Sequence, residues 1–187
     1  MRQAHLILIT GLPGTGKSTL ARALAQHFGA PLICKDTIKE PLLDVIGAAD
    51  RAESRRLSDA SFAVMFALAR DCLHAGIDVI LEGNFRPGEH EPALIDTVHV
   101  TQVLCRASEP IRIVRLNARA SDPSRHAGHR DADLAIDKSP PPADFLALPG
   151  DRIVFDSDPG SMTAQQVFEA LQKHRNLQSP GRKGTAP

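Results

Sequence analysis

Apolar residues follow two patterns that alternate along the whole chain. Short apolar runs rich in β-branched residues are typical of strands buried on both faces of a parallel sheet. Longer segments with apolar residues at every third or fourth position are typical of amphipathic helices. The runs predict strands at 6–9, 31–34, 77–81, 98–104 and 152–156. The periodic segments predict helices at 17–28, 37–46, 57–75, 109–120 and 163–174. This alternation predicts an α/β domain with a five-stranded parallel sheet and helices on both faces.

The segments between these elements are mostly polar. Residues 48–56 are predicted to form a connection, and 144–148 are predicted to form one or two helical turns. Residues 121–133 carry two histidines and two arginines with few apolar positions, which predicts a mobile segment. Residues 176–187 contain only two apolar residues, which predicts a disordered tail.

The loop after the first strand fits the pattern G-x-x-x-x-G-K-S. Glycines let a backbone wrap tightly and direct its N–H groups at the oxygens of a polyphosphate. The helix that follows adds unpaired N–H groups and the positive end of its dipole. Lys17 is predicted to contact the β- and γ-phosphates of ATP, and Ser18 is predicted to bind Mg²⁺. The predicted nucleotide-binding residues are Gly11, Leu12, Pro13, Gly14, Thr15, Gly16, Lys17, Ser18 and Thr19.

Residues directly after each strand are further candidates, because ligands of parallel sheets bind beyond the carboxyl ends of the strands. They include Lys35-Asp36, residues 82–84, Arg106 and residues 156–158. The carboxylate of Asp36 has three possible roles: it accepts a proton from a substrate hydroxyl, holds Mg²⁺ through water, or caps the following helix.

Three more polar residues are predicted to lie on the acceptor side of this edge. Lys39 follows Asp36 by one helical turn and either binds an anionic substrate group or is solvated. Glu82 ends the third strand, where it is a candidate Mg²⁺ ligand or substrate contact, the alternative being a solvated carboxylate. Asn84 is a polar partner nearby, and Asp36, Lys39, Glu82 and Asn84 form the predicted substrate-binding set.

Arg115 and Arg119 are spaced i, i+4, so they share one face of a helix. Arginines stabilise charge that develops on a transferred phosphoryl group, which predicts a catalytic role for the pair; the alternative is a solvated basic face. The polar segment after them favours a lid at about 112–135 that closes over phosphates. His126 and His129 lack the additional nearby ligands of a zinc site.

Composition excludes several classes of function. The chain has 187 residues, 22 Lys plus Arg and 22 Asp plus Glu, so its formal net charge is zero. It has no Trp or Tyr, which argues against a nucleic-acid surface built on stacked aromatics. Its three cysteines are widely spaced in apolar stretches and are predicted to be buried thiols. No apolar run is long enough to span a membrane. A cytoplasmic monomer or homodimer is expected.

Four segments together resemble the small P-loop kinases, a group that includes gluconate-kinase-like, zeta-toxin-like, chloramphenicol-phosphotransferase-like and polynucleotide-5′-hydroxyl-kinase-like proteins. The segments are residues 11–21, 35–39, 79–85 and 115–119, and the resemblance covers about residues 4–172. It implies a three-layer P-loop fold over residues 1–175. It also implies that Asp36 is the base or a substrate contact, that Lys39 binds substrate, and that Arg115 and Arg119 are lid residues. The position of Glu82 is usually aspartate in this group.

These observations predict an Mg²⁺-ATP-dependent kinase that phosphorylates a hydroxyl of a small molecule. The required ligands are ATP, Mg²⁺ and a small hydroxylated acceptor. One alternative is a nucleotide-binding regulatory module, or an ATPase, without phosphotransfer. The other is a kinase of a nucleic-acid 5′-hydroxyl, although the zero net charge argues against nucleic acid as a partner.

Overall fold

A single parallel sheet organises the molecule. The computed structural model describes residues 4–94, 99–123, 126 and 143–177. Its sheet has the strand order β2-β3-β1-β4-β5, with every neighbouring pair parallel. The strands are β1 (His5–Gly11), β2 (Leu32–Cys34), β3 (Val79–Glu82), β4 (His99–Arg106) and β5 (Asp151–Asp156). The helices are α1 (Lys17–Phe28), α2 (Lys35–Ile46), α3 (Arg51–His74), α4 (Glu109–Ala120) and α5 (Ala164–Leu177), with a 3₁₀ turn at Glu91–Ala93.

Alternate residues of the central strand point into two separate cores. Leu6 and Leu8 pack with the apolar face of α3 and with the segment around Leu146. Ile7 and Ile9 face the opposite way and pack with residues of α1 and α5. This two-residue period places helices on both sides of the sheet. The predicted α/β fold, with a five-stranded parallel sheet between two helical layers, is therefore confirmed.

The prediction of a polar connection at 48–56 was wrong, because α3 begins at Arg51. Asp50 is its N-cap and accepts a hydrogen bond from the Glu53 N–H at 2.9 Å. Glu53 in turn accepts one from the N–H of Ala49, the residue before the N-cap, at 2.7 Å, so the two side chains form a variant of the capping box. The D-x-x-E spacing at 50–53 was the signal in the sequence for an earlier helix start.

Residues 144–148 were predicted to form one or two helical turns, but the segment 143–150 contains none. Gln102 of β4 binds it instead, because its side-chain amide pairs with both backbone groups of Leu146. Oε1 accepts from the Leu146 N–H at 2.7 Å, and Nε2 donates to the Leu146 carbonyl at 3.2 Å. Gln102 is 1 % exposed, so these bonds satisfy a buried amide and fix an irregular segment over the sheet.

Two other predictions fall partly on residues that the structure does not describe. In the predicted lid, residues 112–120 belong to α4, whereas 124–125 and 127–135 lie outside the described residues. In the predicted tail, residues 178–187 also lie outside them, and the first two tail residues, 176 and 177, belong to α5.

Candidate active site

The loop between β1 and α1 is a cradle of backbone groups. Gly11, Gly14 and Gly16 have φ angles of 145°, 83° and 80°, which side chains with a Cβ rarely adopt. A Cβ on Gly11 would also collide with the carbonyl oxygen of Cys105 on β4. The Thr15 hydroxyl donates to the Leu12 carbonyl at 2.8 Å and closes the loop on itself. The geometry requires glycine at each of these positions, and it fits a bound polyphosphate.

Lys17 begins α1, where the loop and the helix meet. Its Nζ donates to the Leu12 carbonyl at 3.0 Å. Burial lowers the pKa of Lys17, and nearby Glu82, Cys105 and Asp36 oppose that shift. Arg119 lowers the same pKa, so its guanidinium lies within electrostatic range of the lysine. Asp36, Glu82 and Arg119, which come from three other elements, therefore each influence the charge of Lys17.

Ser18 and Glu82 lie together beside the loop. The Ser18 hydroxyl donates to Glu82 Oε2 at 3.3 Å, and Glu82 is 6 % exposed. The sheet causes this proximity, because β3 pairs directly with β1 and aligns Glu82 with Ile9. A hydroxyl and a carboxylate are the oxygen ligands that Mg²⁺ prefers, so these two side chains fit the metal of a bound nucleotide. Among the described residues, no cluster of three His, Cys, Asp or Glu side chains forms a separate metal site.

Cys34 flanks the Ser18–Glu82 pair from the next strand. Pairing of β2 with β3 aligns Cys34 with Glu82. Burial and the Glu82 carboxylate raise the pKa of the Cys34 thiol to about 12, and burial also raises that of Cys105 to about 12. Both cysteines are thus uncharged at neutral pH. The three cysteines are free thiols, but only Cys105 is fully buried.

Asp36 lies in the first turn of α2, which begins immediately after β2. Its Oδ1 accepts an ion-paired hydrogen bond from Lys35 Nζ at 3.1 Å, and its side chain is 41 % exposed. The N-cap of α2 is Cys34, so Asp36 is not the cap residue that one of the sequence-based alternatives required. The carboxylate is thus partly open to solvent.

Lys39 is buried where α2 packs on α3. Its residue is 9 % exposed, and its Nζ donates to the Ser54 hydroxyl at 2.9 Å. Burial lowers the pKa of Lys39, as does the neighbouring Lys35 ammonium, while Asp36 and Asp59 oppose the shift. Of the two alternatives for Lys39, the solvated side chain is therefore excluded, and the substrate-binding role stays a prediction.

The residues after β3 form one wall next to Asp36. Asn84 is exposed, whereas Gly83 packs closely enough that a Cβ there would lie 3.1 Å from Phe62 and 3.4 Å from the Lys35 Cβ. Behind them, an aromatic cluster joins α3 to the loop after β3. It consists of Phe62, Phe66, Phe85 and His90. Burial and Arg86 lower the pKa of His90, whose Nδ1 accepts the Arg86 N–H at 2.8 Å. Nothing in the sequence spacing indicated this cluster.

The arginines of α4 contact the outside of the phosphate loop. Arg115 Nη1 donates to the Gly14 carbonyl at 3.0 Å and to the Ser157 hydroxyl at 2.7 Å, and its Nη2 donates to the Ser157 carbonyl at 2.8 Å. Arg112 Nε donates to the Pro13 carbonyl at 3.0 Å. Arg115 and Arg119 were predicted as a catalytic pair; Arg115 binds the backbone of the loop, whereas Arg119 lowers the pKa of Lys17.

His126, a residue of the predicted lid beyond α4, contacts α2. His126 Nε2 lies 2.9 Å from Asp44 Oδ1, near the end of α2. Asp44 is 69 % exposed and His126 is 22 % exposed. The contact connects the segment after α4 to α2, the helix that carries Asp36.

The strand order, the glycine loop and the convergence of Lys17, Ser18 and Glu82 define a P-loop fold of the kinase type. This class is shared by solved structures. A presumed kinase from Chloroflexus aurantiacus superimposes with a TM-score of 0.81 and 29 % identity over 92 % of this chain and 98 % of that one. Shikimate kinase from Bacteroides thetaiotaomicron superimposes with a TM-score of 0.57 and 17 % identity over 89 % of this chain and 98 % of that one.

The chain belongs to the family described as AAA domain, whose model matches residues 6–135. An uncharacterised protein of Mycobacterium tuberculosis is 32 % identical over an alignment of 144 residues that covers 71 % of this chain. The same match covers 28 % of that relative, so this chain spans little more than a quarter of its length. The resemblance to small P-loop kinases is confirmed. None of the helices described by the structure is long and apolar enough to cross a membrane.

Proposed function

We propose that the protein is an Mg²⁺-ATP-dependent phosphotransferase that phosphorylates a hydroxyl group of a small acceptor. One observation carries the proposal: the partly exposed carboxylate of Asp36 influences the pKa of Lys17, which begins the helix that also carries Ser18. A P-loop protein that only binds or hydrolyses nucleotide does not require a carboxylate on the acceptor side. The fold shared with the Chloroflexus aurantiacus protein supports the same class of activity.

The proposed mechanism assigns one task to each side chain. Asp36 accepts the proton of the acceptor hydroxyl while the oxygen forms a bond to the γ-phosphorus and the bond to ADP breaks. Lys35 orients the Asp36 carboxylate through their ion pair. Lys17, with Arg119 nearby, stabilises the charge on the transferred group. Ser18 and Glu82 would hold Mg²⁺, which supplies neutralising charge when bound.

The acceptor is proposed to bind between α2, α3 and the loop after β3. Asp36 and Lys39 line this region from α2, and Asn84 and Glu82 lie at the end of β3. Because Lys39 is bound by Ser54 of α3, its ammonium is fixed where the two helices meet. In this position it would orient an anionic or strongly polar group of the acceptor.

The test is transfer of label from γ-labelled ATP to panels of sugars, nucleosides, aminoglycosides and short oligonucleotides. We expect a labelled small-molecule product formed at about 1–100 s⁻¹ with its best acceptor. A labelled oligonucleotide end would establish the nucleic-acid alternative instead. Release of phosphate to water alone, or nucleotide-dependent capture of a protein partner without turnover, would contradict the proposal.

A further inference from the structure

We propose that Arg112, Arg115 and Ser157 form a clasp that holds the phosphate loop in its nucleotide-binding shape from outside. They act as positioning residues and not as phosphate ligands. The inference rests on the nucleotide-binding part of the proposed function, but it requires no acceptor and no phosphotransfer. It assigns to Arg115 a role different from the catalytic lid role that its spacing predicted.

The first contact of the clasp orients the peptide between Pro13 and Gly14. Arg112 Nε binds the Pro13 carbonyl at 3.0 Å. In a trans peptide the carbonyl and the next N–H point in opposite directions, so this bond turns the Gly14 N–H away from α4. The helix also approaches closely here, since a Cβ on Gly14 would lie 3.0 Å from the Arg112 carbonyl oxygen.

The second contact orients the peptide between Gly14 and Thr15. Arg115 Nη1 binds the Gly14 carbonyl at 3.0 Å. The Thr15 N–H therefore points away from α4, and it lies 3.3 Å from the Leu12 carbonyl inside the loop. Two arginines one helical turn apart thus hold two consecutive carbonyls of the loop, and one rigid helix sets both peptide planes.

Ser157 fixes the guanidinium of Arg115 from the other side. Its hydroxyl and its carbonyl accept from Nη1 and Nη2 at 2.7 and 2.8 Å. Ser157 is itself anchored, because its N–H donates to the Arg106 carbonyl at 2.9 Å. Asp158 reinforces the same turn by accepting the Ser108 N–H at 2.9 Å. The ends of β4 and β5 therefore support Arg115, and Arg115 supports the loop.

A clasp and a phosphate ligand make different predictions for nucleotides. A loop that loses its shape binds ADP and ATP less well by the same factor, because its N–H groups contact phosphates common to both. An arginine that contacts only the transferred group affects turnover and leaves ADP affinity unchanged. The clasp also acts before any nucleotide binds.

The test compares Ser157→Ala and Arg115→Lys with the wild type, and Ser161→Ala is the control in the same exposed turn. Amide hydrogen exchange of residues 11–17 is measured without nucleotide, and ADP and ATP affinities are measured by calorimetry. We expect faster loop exchange in both clasp variants and about tenfold weaker binding of ADP and ATP alike. Lysine lacks the planar fork that bonds the loop and Ser157 together. Ser161→Ala should match the wild type.

Wild-type loop exchange and ADP affinity in Ser157→Ala would overturn the proposal. A fall in kcat for Arg115→Lys with unchanged ADP affinity would also overturn it and would establish a direct phosphate ligand. Ser157→Ala removes a single hydroxyl from a partly exposed turn, so it tests the clasp even where Arg115→Lys fails to fold. Loop exchange and calorimetric ADP affinity are independent of acceptor phosphorylation. A negative result in these two measurements is therefore distinct from failure of the proposed phosphotransfer.

Discussion

The proposed chemistry depends on Asp36. One substitution distinguishes its two remaining roles, which are general base and Mg²⁺ ligand. If it is the base, Asp36→Asn keeps the shape of the side chain but removes the charge that accepts the proton. We expect unchanged calorimetric affinity for Mg²⁺-ATP and a kcat about 10²–10⁴ lower with the true acceptor. Weaker Mg²⁺-ATP binding together with lower turnover would instead indicate that Asp36 holds the metal.

Glu40→Gln is the matched control for Asp36→Asn, because it removes one carboxylate charge from the same helix one turn further on. It should leave kcat within about twofold of the wild type, as expected for a substitution outside the reacting groups. An Asp36→Asn protein with wild-type kcat would exclude both roles at the reaction centre.

Lys39 is a buried cation, and its lowered pKa gives a pH dependence of defined sign. Burial first and Lys35 second lower the pKa of Lys39 in the folded state below its ordinary value. Between those two pKa values the unfolded chain binds more protons than the folded one, so stability increases with pH. The charged lysine therefore destabilises the fold at neutral pH, and the cost disappears as pH rises through the alkaline range.

Lys39→Met tests this sign while it keeps most of the packing of the lysine stem. We expect the Tm of Lys39→Met minus that of the wild type to decrease steadily between pH 7 and pH 10. Circular dichroism melts of the two proteins in matched buffers measure the difference. A difference that is constant or increases with pH would show that the Lys39 charge does not destabilise the folded state.

At the scale of elements, α3 shows how far local sequence predicts structure. Its central turns carry the apolar period of Phe62, Met65, Phe66 and Ala69, and the prediction of a helix there was correct. Its first turns lack that period because they project beyond the core, so only the capping box at 50–53 marked them. The hydrophobic pattern of a sequence indicates which residues pack in the core, whereas the ends of a helix depend on individual hydrogen bonds.

The candidate site was predictable where it follows from topology. Glu82 meets Ser18, and Asp36 lies near Lys17, because parallel strands bring their carboxyl ends to one edge. The clasp on the loop was not predictable in this way. Its bonds join side chains to backbone carbonyls about 40–100 positions apart in sequence, and backbone carbonyls carry no sequence signature. The burial of Lys39 was not predictable either, since it depends on how α2 packs on α3.

The capping box gives a prediction for the whole first part of α3. Asp50→Ala removes the acceptor of the Glu53 N–H and should cost about 1 kcal/mol of stability. For a chain of this size, that loss lowers the Tm by about 2–4 °C. Thermal melts measure it, and Asp50→Asn is the control because asparagine caps nearly as well. An equal loss in the asparagine variant would show that charge, and not the hydrogen bond, stabilises this end of α3.

At the scale of the whole molecule, two packed cores support one sheet edge, and ligand binding at that edge is expected to stabilise the complete fold. Glu82 is buried and burial lowers the pKa of Lys17, so both charges cost free energy that a bound nucleotide and its metal would offset. A protein whose site is built from buried charges is therefore expected to be markedly more stable with its ligand than without it. The fold and the site are linked through the strand ends that support both.

Thermal shift measurements with and without Mg²⁺ separate the contributions of the two ligands. At a nucleotide concentration about 100 times Kd, binding adds about 2.7 kcal/mol, which raises the Tm of a chain of 187 residues by about 5–10 °C. Because Ser18 and Glu82 fit the metal and the loop fits the phosphates, Glu82→Ala should lose the increment that Mg²⁺ adds to ATP. It should retain the smaller increase in Tm that ATP produces when a chelator has removed Mg²⁺. Glu89→Ala, which removes an exposed carboxylate of the loop after β3, is the control and should retain both increments. A Glu82→Ala protein with the full Mg²⁺ increment would show that another group binds the metal.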